Sequence, residues 1–109
     1  MSEFKELTDE IIHFRDERDW KQFHNSKDLA IALSVEASEL LERFLWKDAE
    51  EVDKKGIEEE LADVLSYALL LAHEEDLDIK KIIREKLSEN NKKYPVGKSK
   101  GTAKKYDEL

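Results

Sequence analysis

Residues 26–46, SKDLAIALSVEASELLERFLW, and residues 57–74, IEEELADVLSYALLLAHE, decide the fold between them. In the first stretch Leu29, Ala32, Leu33, Leu40, Leu41 and Phe44 return with the 3.6-residue period of a helix. Asn25 or Ser26 can cap it, because either side chain accepts a bond from a free backbone N–H of the first turn. The spacing predicts a helix that ends near Trp46. In the second stretch Leu61, Val64, Leu65, Ala68, Leu69, Leu70 and Leu71 cover much of the circumference, which predicts a central, most buried helix over about Ile57–Glu74. The charged run Asp48–Lys55, closed by Gly56, reads as a short connection between the two.

Outward from this pair, Phe4, Leu7, Ile11, Ile12 and Phe14 give a loose apolar face to a helix over roughly Glu3–Arg18, followed by a polar stretch, Asp19–Asn25. Asp78 can cap a fourth helix through about Lys93, with Ile79, Ile82, Ile83 and Leu87 on one side. Pro95 and Gly97 stop it, since proline lacks the backbone donor and clashes with the preceding turn. The expected architecture is all-α, an antiparallel four-helix bundle, because short connections favour antiparallel neighbours. The helical domain is expected to occupy residues 1–95, and residues 96–109 to form a flexible basic C-terminal tail. A chain of 109 residues with so apolar a third helix is also expected to bury surface against a copy of itself.

Composition narrows the function. Charged residues make up 42% and hydrophobic residues 39%, with three glycines and one proline, a balance that suits soluble amphipathic helices. A formal net charge of −8 disfavours binding to a nucleic-acid polymer, which needs a surplus of Lys and Arg. One small anion remains possible, since a divalent cation can bridge an acidic pocket to phosphates. The chain has no cysteine, so thiol, disulfide and zinc-thiolate chemistry are excluded. No apolar run approaches membrane-spanning length, and Met1–Leu7 is too polar for a signal peptide; a cytoplasmic protein with no membrane partner is the expectation.

The chemistry gathers on two acidic pairs. Glu36 and Glu39, and then Glu60 and Asp63, stand three residues apart, neighbours on a helix surface. At about 100° per residue, Leu29, Ala32, Leu33 and Leu40 fall within roughly 60° of Glu36. Glu60 is flanked in the same way by Ile57, Val64, Tyr67 and Leu71. Carboxylates on an inward face cost several kcal/mol each unless compensated. Glu50, Glu51, Glu74 and Glu75, read as surface acids, carry no such cost and serve as an internal control. Oxygen-only donors point to a hard cation, Mg2+ with Mn2+ as a possible substitute. Pairing with Lys or Arg, or a place at the wet rim of a groove, would meet the same need. A di-iron bundle requires a Glu-x-x-His step on two helices, and the chain does not carry that pair of steps.

The ordered set of motifs resembles the MazG-like all-α nucleoside-triphosphate pyrophosphohydrolases, and most closely the branch containing dCTP pyrophosphatase. The resemblance runs from Phe14 onward through Arg18-Asp19-Trp20-Lys21-Gln22-Phe23-His24, Glu36-x-x-Glu39-Leu40, Phe44-Leu45-Trp46 and Glu59-Glu60-Leu61-Ala62-Asp63-Val64-Leu65-Ser66-Tyr67. It continues in Lys86-x-x-x-Asn90-x-x-x-Tyr94-Pro95 and Ser99 to Tyr106. It implies cleavage of a (deoxy)nucleoside triphosphate, dCTP or a modified dCTP first, to the monophosphate and pyrophosphate. It further implies a magnesium site on Glu36, Glu39, Glu60 and Asp63, and a homodimer or homotetramer. Glu39 is the first suspect for holding the attacking water. Trp20 and Trp46 are candidates for stacking the base; Tyr67 and Asn90 for contacting sugar or base; Lys86, Lys105 and Lys100 for the phosphates. His24 is a further substrate-binding candidate. Val35 departs from the broader family pattern, which has another Glu there, and leaves the number of metal ions open. A non-enzymatic acidic helical interaction module, and a same-fold enzyme acting on dUTP or ribonucleotides, are the alternatives.

Overall fold

A computed structural model gives the fold of residues 2–109, and among these described residues there are helices and no strand. The chain divides into two compact units, Met1–Leu77 and Asp78–Leu109. The first unit holds α1 (Glu3–Glu17), α2 (Ser26–Glu42) and α3 (Lys54–Glu74), with short 3-10 turns at Lys21–Phe23 and Ala49–Glu51.

Each of these three helices starts where a short polar side chain takes a free backbone donor. Ser2 Oγ accepts from Lys5 N–H at 3.1 Å, and Asn25 Oδ1 accepts from Asp28 N–H at 2.8 Å. Asp53 Oδ1 accepts from Lys55 N–H at 2.9 Å, so α3 begins three residues before the expected Ile57. Gly56 therefore lies inside the first turn of α3 and does not close a loop. It is buried beneath the Arg43 guanidinium, and a Cβ there would stand 2.8 Å from Arg43 Nη1. At the other end, α2 stops at Glu42, short of Trp46. Phe44 N–H bonds Leu41 O at 2.9 Å and Lys47 N–H bonds Phe44 O at 3.1 Å, three-residue steps that tighten the last turn. Trp46 then takes a left-handed φ of 64°.

The packing follows from the two decisive stretches. α2 lies along α3, and α1 packs on α3. The α2–α3 register is antiparallel: Arg43 meets Glu59 and Glu60, whereas Glu36, two turns earlier, meets Glu60 and Asp63. Leu29, Leu69, Leu70 and Ala72 form the buried apolar core. Leu61 and Leu65 are exposed, so the burial expected of the whole third helix belongs to its second half.

The second unit, taken by itself, begins with Asp78 Oδ1 accepting from Lys81 N–H at 3.1 Å. α4 (Ile79–Lys93) ends at Tyr94 before Pro95, and α5 (Val96–Ser99) and a 3-10 turn at Tyr106–Glu108 follow. Tyr106 packs edge-on against Tyr94 at 6.2 Å, and Lys93 Nζ stands 5.0 Å from its ring centre. Among the described residues no helix is long and apolar enough to cross a membrane.

Candidate functional site

The antiparallel register of α2 and α3 turns two sequence pairs into one cluster. Glu36, Glu60 and Asp63 each offer a carboxylate oxygen, and these three atoms lie within 4.8 Å of one another. Glu39 stands outside this trio but against Glu36, one turn along α2. Glu36, Glu39 and Glu60 are half-buried, and Asp63 is exposed at the edge. The control acids Glu50, Glu51, Glu74 and Glu75 are all exposed.

The electrostatics of the cluster are unbalanced. Burial raises the Glu36 carboxyl first, the hydrogen bond and charge of Glu39 next, and then the charges of Asp63 and Glu60, so that it is pushed up to about 7. Arg43 is the basic partner within reach: Nη2 and Nε approach Glu60 Oε1 at 3.1 and 3.3 Å. The second oxygens of Glu36 and Glu60 are buried and meet no donor. Two orphaned carboxylate oxygens in a cluster of hard donors fit a divalent cation, which would take the lone pairs the protein leaves free. The trio can thus hold a metal ion.

Asp63 also borders a cavity of about 380 Å³, whose wall includes Phe14, Arg15, Trp20, His24 and Tyr67. The turn after α1 brings Trp20 there, its N–H bonding back to Arg15 O at 3.2 Å. Trp20 meets Phe14 edge-on at 5.9 Å, and His24 meets Tyr67 edge-on at 6.3 Å. Burial lowers the His24 pKa, the nearby Arg15 charge lowers it further, and Glu74 pulls the other way. The ring is therefore neutral near pH 7, with Nδ1 buried and unpartnered. Tyr67 is raised by burial and then by Glu36, Asp63 and Glu39, which keeps its hydroxyl protonated.

Of the sequence-predicted substrate residues, Trp20, His24 and Tyr67 meet in this cavity. Trp46 does not join them: its side chain is wholly exposed on the turn after α2. Asn90 and Lys86 lie on α4, where Asn90 O accepts from Tyr94 N–H at 2.7 Å and Lys86 Nζ pairs with Glu89 at 3.4 Å. Lys105 precedes the last 3-10 turn. Two arginines escaped the sequence reading, Arg43 behind Glu60 and Arg15 in the cavity wall. Arg15 stands on the same α1 stripe as Ile11 and Thr8, the kind of inward position that singled out Glu36.

The rat protein named dCTP pyrophosphatase 1 is 40% identical over 88% of this chain, and its human counterpart is 36% identical over the same share. The chain spans about three fifths of the length of these relatives, 61% in both cases. A crystal structure of a pyrophosphatase from Archaeoglobus fulgidus superposes with a TM-score of 0.80 at 36% identity, covering 87% of this chain and 94% of that one. The MazG-like family model matches residues 31–109, which hold both acidic pairs, and the chain belongs to that family.

Proposed function

We propose that this protein is a magnesium-dependent nucleotide pyrophosphohydrolase that cleaves dCTP, or a base-modified dCTP, to the monophosphate and pyrophosphate. One observation carries the reading: Asp63 belongs both to the carboxylate trio and to the wall of the aromatic cavity. A metal site and a base-sized cavity that share a residue suit a ligand with a polyphosphate at one end and a flat ring at the other. The relatives named dCTP pyrophosphatase point to the same substrate.

Glu36, Glu60 and Asp63 would hold the magnesium, with Glu39 beside them. When bound, magnesium supplies charge relief on the triphosphate and on the departing pyrophosphate. Glu39, next to the trio but outside it, orients the attacking water and accepts its proton on a carboxylate oxygen. Trp20 and Tyr67 give the cavity aromatic walls against which a base can pack. Neutral His24 adds a polar edge without a second positive charge. Exposed Leu61 and Leu65, neighbours one turn apart on α3, support a homodimer or homotetramer that would cover them.

Release of pyrophosphate from each dNTP and NTP with magnesium, ranked by kcat/KM, tests the activity. The expected result is dCTP first, pyrophosphate with no orthophosphate, and no turnover in EDTA. No hydrolysis across the panel, with no nucleotide-dependent rise in Tm, would overturn it. Sedimentation tests the assembly, and a stable monomer at micromolar concentration would refute that part.

A further inference from the structure

Among the described residues of the first unit Arg15 is the buried cation, only 4% exposed, and it lines the cavity shared with Asp63, Trp20, His24 and Tyr67. Among the described residues its guanidinium makes one side-chain hydrogen bond, from Nε to Asp16 Oδ1 at 3.0 Å. The Nη donors meet no acceptor among the described residues, and neither nitrogen is a fully buried orphan, so they open onto accessible space. A guanidinium cannot shed its charge, so an acceptor that a ligand brings into the cavity offsets the cost of holding Arg15 there.

We infer that Arg15 is a specificity-determining residue, its guanidinium reading the adjacent O2 and N3 acceptors of a cytosine ring held in the cavity; this rests on the nucleotide reading above. A guanidinium offers donors only, in a planar fork that suits two acceptors side by side. Cytosine presents that pair. Thymine and uracil place an N3–H between their carbonyls, so the fork meets a donor and one contact turns repulsive. Sites that hydrogen-bond a substrate edge reject analogues lacking it more strongly than apolar pockets reject a change of size. Guanine carries a comparable acceptor pair, O6 and N7, on a larger ring system.

The test measures kcat/KM for dCTP, dTTP and dGTP with wild type, Arg15→Met and Arg15→Lys, and for 3-deaza-dCTP with wild type. Calorimetry of dCMP and dTMP binding in EDTA accompanies it. Arg15→Met should lower dCTP turnover roughly tenfold or more, the scale of a bidentate base contact, and leave dTTP within about twofold. Arg15→Lys, which keeps the charge but not the fork, should lose the same preference. Wild type should treat 3-deaza-dCTP, which lacks the N3 acceptor, as poorly as the Met variant treats dCTP; no folding defect can produce that result. Equal losses for dCTP and dTTP, a loss confined to dGTP, or full activity on 3-deaza-dCTP would overturn the assignment. If wild type hydrolyses no dNTP, the hydrolase reading fails separately. Preference for dCMP over dTMP, abolished in Arg15→Met, then still supports Arg15, and absence of that preference in wild type refutes it.

Discussion

Glu36→Gln should stabilise the metal-free protein while destroying its response to magnesium. A carboxyl whose pKa moves from the ordinary 4.5 to about 7 in the folded chain costs at most about 3 kcal/mol when it ionises there, and less where water screens the cluster. The sign follows from the order of ionisation. Below 4.5 the group is protonated both folded and unfolded, and nothing is lost. Between 4.5 and about 7 the unfolded chain gives up its proton first, so stability falls as pH rises; above about 7 the cost is complete. Glutamine keeps the shape, never ionises, and its amide can donate to the adjacent Glu39 carboxylate. Urea unfolding in EDTA, followed by tryptophan fluorescence, is a suitable assay because Trp20 and Trp46 both lie in Met1–Leu77. The variant should exceed wild type by up to about 3 kcal/mol near pH 8 and by little near pH 5. His24 contributes the opposite slope, since its lowered pKa favours the fold as pH rises, but it is common to both proteins and cancels in the difference. Magnesium should raise the Tm of wild type and leave the variant unmoved. A variant less stable than wild type near pH 8, or a difference independent of pH, would refute the account of the cluster.

Leu29 is 1% exposed, and Leu29→Ala should cost about 2–5 kcal/mol in the same unfolding assay. Asn25→Ala removes the cap on Asp28 N–H and should cost about 1 kcal/mol, measured alike. Gly56→Ala puts a Cβ 2.8 Å from Arg43 Nη1 and displaces the guanidinium that holds Glu60 Oε1. The gain in helix propensity offsets the lost ion pair, so stability should change by less than about 1 kcal/mol. Magnesium affinity, read by calorimetry, should nonetheless fall about tenfold because Glu60 is no longer pinned.

Helix identity was legible because α2 and α3 carry strong 3.6-residue patterns; Asp78 caps α4 as expected, and of the two candidates for α2 it is Asn25 that caps. The start of α3 was not. Asp48 and Asp53 can both cap, and Gly56 has the composition of a break; Arg43 packing over Gly56 makes glycine the fitting residue within a helix. The end of α2 was misjudged for a related reason. Periodicity records which face is apolar through Phe44, but it cannot see that the backbone tightens to three-residue steps and leaves Trp46 in solvent.

The acids were legible through an energetic test: a charge on an inward stripe demands compensation, and Glu36 and Glu60 are half-buried with orphaned oxygens. The same test applies to Arg15, which falls within roughly 40° of Ile11 and 20° of Thr8 on α1, yet it is weaker for arginine. A long side chain can carry its charge out of an apolar stripe to water, whereas a carboxylate one or two methylenes from the backbone has less reach. The turn that follows Arg15 is anchored on its backbone carbonyl. Asp19 takes a left-handed φ of 55°, the chain reverses, and Trp20 N–H returns to the Arg15 carbonyl. That turn delivers Trp20 to the cavity wall Arg15 already occupies, so the aromatic face and the buried donor arise from one local event. Hydrophobic spacing along α1 stops before Asp19 and contains no information about it.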